Sequence, residues 1–220
     1  VGGNTGGFGG GVRAQHGEIR NSSIVDNIAQ QSGGGLAVAF NGDLSLQSVT
    51  ITGNQSPIGS AADVTAQSEL SAINTIIAGN MPRGETEHEQ LHLHSASSKI
   101  SSVVGSLIRT DARHIFRDVT EISAERYAGV PADNGGPTPT VALLPGGLAV
   151  DAGDTAALPA DESDLDGDGD TAEPLPFDQR GLPRVSGAAV DIGAFELVQG
   201  GASEVLFAVN AGGPAVADYT

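Results

Sequence analysis

"GGGVRAQHGEIRNSSIVDN" (residues 9–27), "GGGLAVAFNGDLSLQSVTITGN" (33–54) and "GSAADVTAQSELSAINTIIAGN" (59–80) align from small residues at one end to Ile-x-x-Asn at the other. The closing motif, Ile24-x-x-Asn27, Ile51-x-x-Asn54 and Ile77-x-x-Asn80, recurs after 27 and then 26 residues. A fixed period in this range marks a solenoid, in which each repeat buries its face against its neighbours. Inside the repeats the apolar residues alternate, as in Leu44-x-Leu46, Val49-x-Ile51 and Leu70-x-Ala72. Period two belongs to strands and argues against helical repeats. The expected fold is all-β: a right-handed parallel β-helix (β-solenoid) with long loops and a C-terminal extension.

Stacked coils lie about 4.8 Å apart and place each recurring residue above its counterpart. Asn27, Asn54 and Asn80 are therefore expected to form a ladder of side-chain amides. The glycine runs let the backbone bend and approach the next coil closely. A phosphate-binding loop would need Lys-Ser/Thr and a helix after the glycines, and neither follows.

Composition agrees with thin stacked strands: 32 glycines and eight aromatic residues in 220, with Val, Ile, Leu and Ala supplying the apolar content. A net charge of −17 opposes nucleic acid and anionic lipid and favours cations. No run reaches the roughly 20 apolar residues of a membrane-spanning helix. With no cysteine, disulfides give no indication of compartment. The chain opens on Val1 without a Met or a signal-like segment, so excision from a longer precursor is expected.

The stretch "DLDGDGDTAEPLPFD", residues 164–178, crowds five aspartates and a glutamate into fifteen positions. Asp164, Asp166, Asp168 and Asp170 can curl around one centre if a cation removes their repulsion. Calcium suits such a set, because it accepts six to eight oxygens in flexible geometry. The segment begins like an EF-hand loop, but position 12 is Leu175, so Glu173 or Asp178 is expected to complete the shell. An empty, solvated acidic loop is the alternative.

"HEQLH", residues 88–92, matches the zinc-protease pattern, whose chemistry requires a helix. Pro82 and Gly84 before it, and Leu91 and Leu93 alternating with His92 and His94, read as a loop entering a strand. His92 and His94 then share a face, His88 sits apart, and exposed histidines or incidental metal binding are the expected outcomes. A polysaccharide lyase or hydrolase would need placed acids and bases. Asp26, Asp43 and Asp63, with Arg13 and Arg20, form no set repeating at one-coil spacing, so no enzyme is expected.

The Gly-Gly-Gly-Val/Leu and Ile-x-x-Asn pattern over about residues 1–110 resembles right-handed parallel β-helix repeats of bacterial surface proteins, including polymorphic outer-membrane-type repeats. "DNGGPTPTVALLPGGLAVDAGD" (133–154) and "FDQRGLPRVSGAAVDIGAFE" (177–196) resemble the C-terminal β-helix region of the choice-of-anchor Q family. That resemblance implies a secreted or surface-displayed bacterial protein and no enzyme activity. "FAVNAGGPAVAD" near the C-terminus resembles the opening of malectin-like carbohydrate-binding domains.

The expected organisation is repeats over 1–130, late coils over 131–198, and a linker and tail strand over 199–220. Leu143, Leu144, Leu148 and Val150, then Val190, Ile192 and Phe195, read as strands of the late coils. Arg180 and Arg184 are expected to pair with Asp178 or Asp191. Val205, Leu206, Phe207, Ala208 and Val209 read as an assembly strand that pairs with another subunit or opens a further domain. Uncapped solenoid ends and a donated strand suit head-to-tail filaments. The leading expectation is a calcium-binding, non-catalytic fibre subunit or stalk, extracellular or at the cell surface. An adhesin or glycan-binding module, using Phe40, Phe116 and Tyr127 as sugar platforms, is the second.

Overall fold

The computed structural model describes residues 1–83 and 90–199; the tail strand read at 205–209 lies outside them. Among the described residues the chain is nearly all β, 45% strand and 2% helical, and forms a parallel β-solenoid of about four turns. One face carries β1 (Thr5–Phe8), β3 (Ile28–Ser32), β5 (Gln55–Ser56) and β9 (Met81–Pro82), paired in that order. Two long strands, β2 (Val12–Val25) and β4 (Leu36–Thr52), run in parallel register around the rest of the first two coils. In later coils the same path is divided. β6 (Ala62–Val64), β7 (Glu69–Ile73) and β8 (Ile76–Ala78) pair with β4 on one side. On the other side they pair with β10 (Leu91–Leu93), β11 (Lys99–Val104) and β12 (Leu107–Arg109).

Corners recur in columns because a left-handed residue is needed wherever the chain turns. Gly9, Gly33 and Gly59 (φ 62, 69 and 56°) form one column, and Asp26, Gly53 and Gly79 (54, 72 and 64°) another. Asn21, Ser48, Asn74 and Gly105 (41, 54, 48 and 54°) form the third. Asn and Asp tolerate this region better than other side-chain-bearing residues, which explains their place at corners. At Gly79 a side chain is also barred by space, since a Cβ would fall 2.2 Å from the Tyr127 carbonyl oxygen.

The register stacks like on like inside the coil: Ile24, Ile51, Ile77 and Ile108 form one column, and Ile19, Leu46, Ala72 and Val103 another. Leu44, Leu46, Ile51 and Leu70 are 0–1% exposed, and burying each stabilises the fold by about 1.5–3 kcal/mol. Beside this core runs the amide ladder. Asn27 Nδ2 donates to Asn54 Oδ1 and Asn54 Nδ2 to Asn80 Oδ1, both at 2.9 Å. The backbone N–H of each Asn donates to the same oxygen at 3.0 Å. Asn4 extends the ladder at one end (3.0 Å) and Gln90 at the other (3.0 Å).

The expectation for the second half needs correction. Coils end at Arg109, and residues 110–130 leave the stack as an antiparallel hairpin of β13 (Val119–Ser123) and β14 (Arg126–Gly129). Between 131 and 199 there is no strand, only isolated bridges and a short 3-10 turn at Thr155–Ala157. Pro137, Pro139 and Pro145 lack the N–H that a ladder requires. Leu143, Val190, Ile192 and Phe195 are buried all the same, in a second core with Ile76, Ala78, Ile115 and Phe116, while Leu148 is exposed.

This region lies along the side of the stack, against the third corner column and the residues after it. Asn21 Nδ2 donates to the Phe177 carbonyl (2.6 Å), Ala194 N to Thr50 Oγ1 (3.0 Å) and Asn74 Nδ2 to the Asp154 carbonyl (2.9 Å). It is a buttress rather than a continuation of the helix.

Candidate metal centre

The acidic stretch forms a loop closed at its neck by the antiparallel bridge between Ala160 and Pro174 and by Asp161 N–H to the Glu173 carbonyl at 2.8 Å. Left-handed backbone at Asp164, Gly167 and Gly169 (φ 50, 76 and 89°) curls the chain inward. The carboxylates hold the loop's own amides: Asp164 Oδ1 accepts from Gly169 N (3.1 Å), Asp168 Oδ1 from Asp170 N (2.7 Å) and Asp170 Oδ1 from Ala172 N (2.9 Å). These bonds satisfy the backbone and leave other carboxylate oxygens available.

Two sets of oxygens converge. Asp164, Asp166 and Asp168 form one; Asp161, Asp166 and Glu173 form the other, each with ligand atoms within 4.8 Å of one another. Asp161 is 1% exposed. Its Oδ2 accepts from Leu165 N at 2.6 Å, but its Oδ1 is buried without a hydrogen-bond partner, and so is Glu173 Oε1. Burial first, and then the charges of Asp166, Asp168, Asp170 and Asp161, push the Glu173 carboxyl upward from its ordinary value. Orphaned anionic oxygens within one acidic cluster are costly unless a cation joins them. An all-oxygen set with carboxylates on several sides suits calcium; zinc prefers nitrogen and sulfur, and magnesium retains several waters.

Of the residues expected to bind metal, Asp164, Asp166, Asp168 and Glu173 come together in these sets, while Asp170 belongs to neither. Asp178 is elsewhere and is corrected. It pairs with Arg180 at 2.7 Å and accepts from Arg180 N (2.8 Å) and Glu196 N (3.0 Å), so its oxygens are committed to the buttress. Asp161 was not foreseen. It lies three residues ahead of the aspartate run, and only its burial distinguishes it from the exposed Glu162.

Arg180 meets the Asp178 carboxylate as expected, whereas the carboxylate beside Arg184 is that of Glu196. The Arg180 guanidinium also lies 3.6 Å from the centroid of the Phe195 ring. Arg184, 1% exposed, donates to the carbonyls of Asp191 (2.8 Å) and Gly193 (2.9 Å) and lies 3.5 Å from Glu196 Oε2. Burial pushes its guanidinium below the ordinary arginine value. Burial likewise raises Asp191, and raises Glu196 to about 7.

The other sequence candidates do not form a zinc-protease helix or a set of sugar platforms. His92 sits in strand β10, paired with β6, rather than on the helix a zinc protease needs; His88 lies outside the described residues. Phe116 is 1% exposed and cannot serve as a sugar platform; Phe40 is 55% exposed, and Tyr127 is covered by Arg113 at 4.7 Å. Among the described residues, no helix is long and apolar enough to cross a membrane.

No family model, curated protein or solved structure matches this chain. Function is therefore read from the chemistry of the site.

Proposed function

We propose that the chain is a non-catalytic structural module of an extracellular or cell-surface assembly, a calcium-stabilised β-solenoid serving as a fibre subunit or stalk. The observation that carries this reading is the pair of buried, unpartnered oxygens, Asp161 Oδ1 and Glu173 Oε1, at the neck of a loop that gathers Asp164, Asp166 and Asp168. Calcium there neutralises the cluster and orders the loop, and its binding free energy adds to the stability of the buttress. A weak all-oxygen site fills where calcium is plentiful, outside the cell.

The exposed end of the stack supports assembly. Leu93, Val103 and Ile108 continue the interior columns yet are 41, 46 and 41% exposed. Among the described residues, β10, β11 and β12 pair on one side alone. A second copy offers Ala14 and Ile19, only partly buried in the matching columns of its first coil, and a head-to-tail contact between unlike ends propagates as a filament.

Calorimetric calcium titration and electron microscopy test the two halves separately. Native chain binds calcium; Asp161→Asn and Glu173→Gln weaken binding about tenfold or more. Native particles are long and of uniform width, while Ile108→Asp yields single subunits. Calcium affinity unchanged in both loop variants removes the metal role, and single native subunits remove the fibre role.

A further inference from the structure

A second group of metal-ligating side chains lies between the last two coils, far from the acidic loop in sequence. Asp63 on β6 is fully buried, and His92 on β10 stands beside it in register. His94 follows, its N–H donating to the Val64 carbonyl at 3.1 Å. His92 Nδ1 is 2.9 Å from Asp63 Oδ1, and His94 Nε2 is 3.1 Å from Asp63 Oδ2. The two rings meet edge to face with centroids 4.9 Å apart. From the end of β3, the Ser32 hydroxyl donates to Asp63 Oδ2.

A carboxylate with no exposure needs donors or a cation around it. Among the described residues its ion-pairing partners are the two imidazoles, and no lysine or arginine pairs with it. Hydroxyl nucleophile chemistry does not fit, because Ser32 bonds to the carboxylate instead of to an imidazole that could take its proton.

We infer that Asp63, His92 and His94 bind a divalent transition cation, zinc foremost, which staples the last coil to the one before it. Two imidazole nitrogens and one carboxylate are a donor set for such ions, whereas calcium prefers oxygen alone. The three ligand atoms lie within 4.8 Å of one another. An ion about 2.0–2.1 Å from each would space tetrahedral ligands by about 3.3 Å, close to both nitrogen–oxygen distances already present. The remaining closure falls to His94, whose side chain is 42% exposed and has room to turn. Ser32 holds the carboxylate from outside, as outer-shell partners of metal ligands do. Three protein ligands leave a fourth position to water. The role follows from the place: β10 is three residues long and, among the described residues, pairs with β6 alone, at the open end of the stack, where a cross-strand bond counts most.

Cobalt(II), a coloured stand-in for zinc, tests this when titrated into the full chain in excess calcium. The expected result is the visible absorption of four-coordinate cobalt, abolished by added zinc. His92→Ala and His94→Ala each remove it, Ser32→Ala weakens binding about 10- to 100-fold, and Asp164→Asn leaves it intact. No such absorption in the native chain overturns the inference whatever the variants do. So does an absorption that survives both histidine substitutions.

Discussion

In the coils, backbone N–H groups are satisfied by the next coil, and the amide column, Asn4 through Gln90, repeats that pattern with side-chain amides. In the buttress, carboxylates take the place of the neighbouring strand. Asp191 Oδ1 accepts from Asp151 N (2.7 Å) and its Oδ2 from Leu197 N (2.6 Å); Glu196 accepts from Ser186 N and Asp191 N, both at 2.9 Å. The amide ladder satisfies the backbone with neutral groups, and Asp63 is the one buried acid on the described coil strands. The buttress gathers three buried acids, Asp178, Asp191 and Glu196, around Arg180 and Arg184, and its stability must follow the state of those charges.

The sharpest break in that comparison is Arg184→Ala. It strips the cation from buried acids and should destabilise the chain by about 3–5 kcal/mol, measured by denaturant unfolding. An effect under about 1 kcal/mol would mean that the ionic cluster is not what holds the buttress. The matching cut in the coils is Asn54→Leu. It deprives Asn27 N and Nδ2 of their shared acceptor and should cost about 2–4 kcal/mol.

Acidity separates the two regions further. Burial holds Glu196 at about 7, against an ordinary 4.5, so the folded chain binds this proton more tightly than the unfolded one. The stability it contributes is fully present below about pH 4.5 and is lost as pH rises through about 7. That loss amounts to at most about 3 kcal/mol. Glu196→Gln should flatten this slope in unfolding measured from pH 5 to 8, while protection of the coil amides stays level in both proteins.

The smallest effect is the most diagnostic in sign. With calcium, Asp161→Asn should lower stability; with chelator it should raise it by up to about 1 kcal/mol, because a buried unpartnered charge is gone. Thermal unfolding under both conditions gives the two signs directly.

Reading the coils from sequence succeeded because register is periodic: Ile-x-x-Asn fixes the turn, the column and the face at once. Asn4 follows the same rule with Val1 in place of Ile, and a looser pattern would have found it. Gln90 and the meeting of Asp63 with His92 escaped because the segment before Gln90 departs from the period, so the partners stand 10 and 29 residues apart. The buttress carries no period at all. Its decisive contacts, such as Ala194 with Thr50 across 144 residues, join positions that no local pattern links. The same apolar residues were recognised as buried, but nothing in their alternation distinguished a late coil from a flank. In the acidic loop the aspartate run advertised the site, whereas Asp161 is marked by burial alone.

Hydrogen–deuterium exchange with calcium, and then with chelator, tests the central claim most directly. The account predicts that chelation raises exchange at residues 159–175 and in the adjoining buttress, while β4, β7 and β8 keep full protection. Unchanged exchange in the loop, or an equal rise throughout the coils, would contradict it.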